Sequence, residues 1–334
     1  MNNQGKTALV TGANSGIGFE TAAQLATNGF GKVILVTRTL AKGEAARDQL
    51  VERSGKNVFD LLTADLAEPK SAAAAADELV KRQDTIDLLI LNAGMSTGAP
   101  PVFNSDGVEL TFASTLIGHH VLTMRLLEKQ LLSEHVRIVI AGSEGARGNM
   151  MNMKVPDFAA FSNEYFDGDL EAALETIARV QAPYEFQPMN TYVTAKVYVA
   201  WWAAALARKL PQGMTVNAVS PGSVPATNFA RNQSFFMRRV MMPVMGVVGS
   251  VFGMAGPISA ASQRYIDAGN FDDNTTGHFF ASAPGKAVGP MEIQKNAHFL
   301  DRSYQDAGWN VIVRLSGGVD YPQTSSMKVL ETAA

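Results

Sequence analysis

The stretch TGANSGIG, residues 11–18, constrains the fold more tightly than any other part of the chain. It ends an apolar run, TALV, and opens a helical pattern that continues to about residue 28. Glycines placed this way at a strand–helix join suit a phosphate-binding turn. Gly12 permits the tight turn, Gly16 lets the backbone approach a pyrophosphate, and Gly18 allows the helix to pack closely. Asn14, Ser15 and Ile17 fill the rest of the turn. The helix N-terminus behind it offers free N–H groups and a partial positive charge to an anion. A plain glycine-rich turn is the alternative, and the strand–turn–helix context favours the phosphate reading.

The rest of the first half repeats the same alternation. Apolar runs at 32–38, 57–65, 86–94 and 136–143 are separated by alanine-rich helical stretches, one of them opening at Pro69. Runs that are apolar on both faces, alternating with helices, predict a parallel sheet covered on both sides. Residues 214–222 and 276–282 extend that sheet to about seven strands in a single doubly wound α/β domain spanning 1–334. Two stretches break the rhythm. Residues 144–189 read as an irregular, acidic insertion, and 223–270 hold a Met- and Phe-rich apolar segment. A helical tail is expected over about 290–318.

Composition narrows the classes of function. The chain of 334 residues is 46% apolar and 18% charged, enough to bury a full core. A net charge of −3 gives no reason to expect nucleic acid as a partner. The absence of cysteine excludes disulfides, thiolate chemistry and Cys-type zinc sites, and no metal site is expected. It fits a reducing cytoplasm. The first residues, MNNQGKTALVTGA, lack the basic and long apolar parts of a signal peptide, so a cytoplasmic location is expected. The longest uncharged stretch, 240–263, is interrupted by proline and glycine, so no integral membrane span is expected.

Of seven tyrosines, only Tyr192 has a lysine, Lys196, at the fourth following position. Residues four apart share a helical face. Taken with the other motifs, this pair resembles the short-chain dehydrogenase/reductase family, in its carbonyl-reductase and retinol-dehydrogenase-like branch. That family carries Asn-Ala-Gly after its fourth strand, matched by Asn92, Ala93 and Gly94. It carries an aspartate near the adenine, matched by Asp65 with Leu66 following, and a serine after its fifth strand, matched by Ser143. Its Pro-Gly is matched by Pro221 and Gly222, with Val224 and Thr227 beyond. Together these cover residues 5 to about 282, and the tryptophan-bearing tail looks like the retinol-dehydrogenase-like branch.

The resemblance implies a Rossmann-type fold, a nicotinamide cofactor and a small-molecule carbonyl or alcohol as substrate. Ser143 would hold the substrate oxygen, and Tyr192 would give or take its proton. Lys196 would hold the nicotinamide ribose. A phenol titrates near 10, and each unit of lowering needs about 1.4 kcal/mol, so the nearby lysine, sharing a dry cleft with a cationic nicotinamide, would favour the tyrosinate. At the end of the second strand stand Thr37 and Arg38, with Lys42 a turn later, in place of an acidic residue. With no carboxylate opposing a 2′-phosphate, NADPH/NADP+ is expected over NADH.

The chain departs from the family pattern at three points. Thr115 stands where an asparagine often begins a proton relay, and its hydroxyl lacks the amide's paired donor and acceptor. His119 and His120 follow it, and packing or subunit contact is expected of them rather than catalysis. Ser143 and Tyr192 stand 49 positions apart, far more than is usual in the family. Carbonyl-reductase-like members with such an insertion are monomers, which favours a monomer over a homo-oligomer here. Thr227 lies one position later than its family counterpart. The 230–263 segment, with Arg238 and Arg239, falls where the family places a substrate lid, and methionine-rich walls suit a lipophilic carbonyl. Core packing, a subunit interface and a membrane contact are its other readings. The leading function is NADPH-dependent carbonyl–alcohol interconversion. Its rivals are C=C reduction, whose practitioners on this scaffold rely on cysteines, and a non-catalytic NADP-binding regulator.

Overall fold

A computed structural model of the chain describes residues 3–149, 153–224 and 256–322. Eight strands form one sheet in the order β3-β2-β1-β4-β5-β6-β7-β8. They are β1 (Thr7–Thr11), β2 (Lys32–Thr37), β3 (Phe59–Thr63), β4 (Ile86–Leu91), β5 (Leu132–Ala141), β6 (Thr215–Val219), β7 (Phe279–Ser282) and β8 (Met291–Ile293). The first seven run parallel, and β8 pairs antiparallel with β7. The expected seven strands are therefore joined by a short eighth at the edge.

The apolar runs are continuous because both faces of the sheet are covered. Along each strand successive side chains point to opposite faces. Leu9, Ile34, Leu89 and Ile138 join the larger core cluster. Their neighbours Ala8, Val10, Val33, Leu35, Leu88, Ile90 and Val139 join the other. The smaller cluster lies against α1 (Gly16–Thr27) and α2 (Leu40–Ser54). The larger takes α3 (Pro69–Arg82), the α4 turn (Leu110–Phe112), α5 (Gly118–Glu128) and α8 (Pro188–Ala207). Because β1 sits between β2 and β4, the chain leaves it in one direction and later returns on its other side. That reversal opens a crevice beyond the C-terminal ends of β1 and β4, where ligands of such sheets bind.

The 144–189 insertion is more regular than its sequence suggests. It contains α6 (Phe158–Tyr165) and α7 (Leu170–Ala178), each opened by an aspartate. Asp157 and Asp169 accept from the backbone N–H three residues on, both at 3.0 Å. Beyond it come α9 (Ile258–Ala268), the short α10 (Ala297–Leu300) and α11 (Arg302–Leu315). Phe158 of α6 meets Trp201 of α8 edge-on at 4.9 Å, and Tyr304 of α11 stacks on Trp201 at 5.4 Å. Arg314 and Asn310 of α11 bond to Glu171 and Glu175 of α7. The insertion and the tail thus cover the side of α8 that faces away from the sheet.

Candidate active site

The crevice is a cavity of about 480 Å³ running from the glycine turn to Tyr192. At one end, β1 stops at Thr11 and Gly12 turns the chain with its N–H on Val36 O at 2.9 Å. Gly16 opens α1 at φ +61°, and a Cβ there would meet nothing within 4 Å. That bare surface borders the cavity, beside a helix N-terminus with no acidic residue in its first turn. The arrangement fits a pyrophosphate. Gly18 is needed for another reason: a Cβ would stand 2.5 Å from both Gly12 O and Asn92 Nδ2. It sits behind the turn and holds α1 against the sheet. The Asn92-Ala93-Gly94 stretch is tied to the same turn, Asn92 donating to Thr11 O and the Ala93 N–H donating to Thr11 Oγ1, each at 2.9 Å.

The end of the cavity beside β2 and β3 is walled by Arg38, Lys42, Asp65 and Leu66. One expectation fails here. A carboxylate does stand beside Arg38, since Asp65 Oδ2 lies 3.6 Å from Arg38 Nε, with both groups well solvated. It comes from the end of β3, the neighbouring strand, where a reading of β2 alone does not find it.

At the other end, β5 delivers Ser143, whose Oγ accepts from the Gly145 N–H at 3.2 Å. Tyr192 and Lys196 descend from α8, with Lys196 Nζ 5.7 Å from the Tyr192 ring centroid. All three line the cavity, as do Pro221, Gly222 and Val224. Lys196 donates to Ala141 O at 2.6 Å, and burial pulls its ammonium down to about 7. The Tyr192 phenol is pushed up to about 12. Burial is the main cause, a hydrogen bond with Ser143 works against it, and the Glu144 carboxylate adds to it. The residues alone therefore hold the phenol protonated. Lys196 is not among the causes acting on the phenol, and the expected lowering joins it to a cationic nicotinamide.

Thr115 occupies a π-helical turn, Ala113–Ile117, between α4 and α5. The extra residue in that turn leaves Ser114 on the cavity wall and Thr115 fully buried behind Gly94. The Thr115 hydroxyl and Lys196 Nζ lie 3.0 and 3.8 Å from the point where a Gly94 Cβ would stand. Among the described residues that hydroxyl has no hydrogen-bond partner. Both histidines pack in the interior, away from the cavity wall. His119 joins Thr115 O and Thr11 Oγ1 at 2.9 Å each, and burial pulls it down to about 3. His120 lies between Trp202 Nε1 at 3.0 Å and Val319 O at 2.6 Å, pulled down to about 4.

Thr227, Arg238 and Arg239 lie outside the described residues, as does most of the 230–263 segment. Sequence reasoning missed several members of the wall: Met95, Met153, Met189, Glu144 and Tyr265. Glu144 carried a signal, because a carboxylate directly after a buried strand must find partners. Among the described residues no helix is long and apolar enough to cross a membrane.

Residues 6–159 match a family model described as short chain dehydrogenase. The chain is 27% identical over 297 residues to human retinol dehydrogenase 13, covering 86% of this chain and 79% of that protein. It is 30% identical over 234 residues to the human WW domain-containing oxidoreductase, covering 68% of this chain. The chain spans only about half of that relative, 51% of its length. Among solved structures, an actinorhodin polyketide ketoreductase with NADPH superposes with a TM-score of 0.60 at 22% identity, covering 84% of this chain and 96% of that one. At that identity the likeness concerns the fold.

Proposed function

The chain belongs to the short-chain dehydrogenase/reductase family, in its retinol-dehydrogenase-like branch, and from that premise we propose that it interconverts a lipophilic carbonyl and its alcohol with NADP(H). The observation that carries this reading is the meeting of Ser143, Tyr192 and Lys196 on the wall of the cavity that begins at the glycine turn. When bound, the nicotinamide supplies or accepts the hydride. The Ser143 hydroxyl holds and polarises the substrate oxygen, and the Tyr192 phenol gives it a proton. A phenol held up to about 12 is protonated at neutral pH and is ready to donate. Lys196, fixed by Ala141 O, would hold the nicotinamide ribose, and the buried Thr115 hydroxyl nearby is the proposed start of the proton supply.

Arg38 and Lys42 support a preference for the 2′-phosphate of NADP(H), with Asp65 moderating it. Met95, Met153 and Met189 support a lipophilic substrate, since thioethers make an adaptable apolar wall. The cover over α8 supports a monomer. A panel containing acetophenone, decanal and retinal, each mixed with NADPH, tests the reading through loss of the reduced nicotinamide's near-ultraviolet absorbance. Turnover of at least one carbonyl is expected. Tight NADPH binding with no turnover of any carbonyl would overturn it in favour of a regulator.

A further inference from the structure

The π turn that carries Ser114 and Thr115 needs support, and a buried histidine supplies it. Such turns are rare and cluster at functional sites, because their hydrogen bonds step out of the α-helical register. Here the Gly118 N–H reaches back five residues to Ala113 O. His119 follows directly, fully buried, with both ring nitrogens engaged. Its Nδ1 lies 2.9 Å from Thr115 O. A carbonyl can only accept, so Nδ1 carries the ring proton. In a neutral ring Nε2 is then an acceptor, and the Thr11 hydroxyl donates to it across 2.9 Å. Thr11 Oγ1 in turn accepts from the Ala93 N–H at 2.9 Å. These hydrogen bonds run in one direction, from the Ala93 N–H through Thr11 and the imidazole to Thr115 O. They tie the π turn to the end of β1 and to the stretch that follows β4.

We propose that His119, in its Nδ1–H form, is a positioning residue: by donating to the Thr115 carbonyl it holds the π turn in shape, and so keeps Ser114 on the cavity wall and Thr115 behind Gly94. The ring stands off the cavity wall, so it acts through the turn and not on the substrate. The two ends of this strut are unequal. Thr11 Oγ1 has a second acceptor in reach, Ile90 O at 3.5 Å, which can take its proton if the ring is lost. The Thr115 carbonyl would lose a donor outright. Removing the ring should therefore disturb the π turn and spare the glycine turn. The effect on hydride transfer rests on the acid–base reading of Tyr192 and Lys196, whereas the effect on the turn does not.

Nitrogen-15 spectra of the protein with labelled histidine read the tautomer directly, the His119 signals being assigned by their loss in His119→Asn. The proton is expected on Nδ1. His120 gives an internal contrast: its Nδ1 accepts from Trp202 Nε1 at 3.0 Å, so its proton belongs on Nε2. A His119 ring that is charged or protonated on Nε2 alone would overturn the proposal. His119→Asn and His119→Leu then separate support from packing. An asparagine amide can reach the carbonyl four residues back, whereas leucine, closer to histidine in bulk, donates nothing. A packing role would favour leucine, and a donor role favours asparagine. Without substrate, hydrogen exchange of amides 113–118 should stay within about threefold of the wild type in His119→Asn and quicken by about tenfold or more in His119→Leu. For a carbonyl that the wild type reduces, hydride transfer should fall about 10- to 100-fold in His119→Leu, the size of an ångström-scale misplacement, and clearly less in His119→Asn. NADPH affinity should stay within about threefold in both. If His119→Leu does not fold, His119→Met, also without a donor, takes its place. Equal exchange in the two variants, or faster exchange in His119→Asn, overturns the proposal. No turnover of any carbonyl, with the tautomer and the exchange order intact, would count against the hydride-transfer reading and leave the strut standing.

Discussion

Replacing Arg38 by glutamine should cost NADPH affinity while sparing NADH. A charge-assisted hydrogen bond is worth about 1.5–3 kcal/mol, which corresponds to roughly 10- to 150-fold in affinity. Two features of the structure pull the value to the low end. The Arg38 side chain is 55% exposed, so water and salt screen it. It also faces Asp65 at 3.6 Å, and part of its charge is already engaged by that carboxylate. We expect NADPH to dissociate about 10- to 30-fold more readily, with NADH changed by no more than about twofold. Asp65→Asn should do the opposite and modestly tighten NADPH. Fluorescence titration of each cofactor against the wild type and both variants gives the six constants needed. Equal losses for NADPH and NADH in Arg38→Gln would refute the reasoning, because only the 2′-phosphate distinguishes the two cofactors.

Gly18→Ala should weaken both stability and cofactor binding, because its Cβ would stand 2.5 Å from a backbone oxygen that cannot swing away. A loss of about 1–3 kcal/mol in chemical denaturation is expected, with NADPH affinity falling alongside. Acid should destabilise the fold through two histidines. His119 and His120 are held neutral, at about 3 and about 4, whereas an unfolded histidine titrates near 6.5. Their contribution is complete above about pH 6.5 and is lost as pH falls towards 4, because the unfolded chain takes up protons that the native one refuses. Denaturation at pH 7 and pH 5 should differ by about 2 kcal/mol per histidine, and His120→Gln should lose about half of that difference.

What was legible in the sequence had strong local signals. The strands β1, β2 and β4 are continuous apolar runs because both faces are covered, and the glycine turn declares itself by its spacing. The edge strand β8 is three partly exposed residues and leaves no pattern. The helices of the insertion do not show in the sequence because each is short, Asp157 caps a helix of only eight residues, and Asp169 lies between Asp167 and Glu171. Pairings across the sheet were invisible for a different reason. Glu144 meets Arg264 across 120 positions, and Asp65 reaches Arg38 from an adjacent strand, so neither follows from local spacing. Thr115 was assigned to the right helix, but only the π turn explains why Ser114 faces the cavity and Thr115 lies behind Gly94.

The account stands on Tyr192 as the group that moves the substrate's proton. A single-turnover measurement of NADPH oxidation by acetophenone, or by whichever carbonyl of the panel is reduced, compares Tyr192→Phe with the wild type. The account expects the hydride-transfer rate to fall by about 10²- to 10⁴-fold while NADPH binds as before. A Tyr192→Phe protein that transfers hydride at the wild-type rate would contradict it.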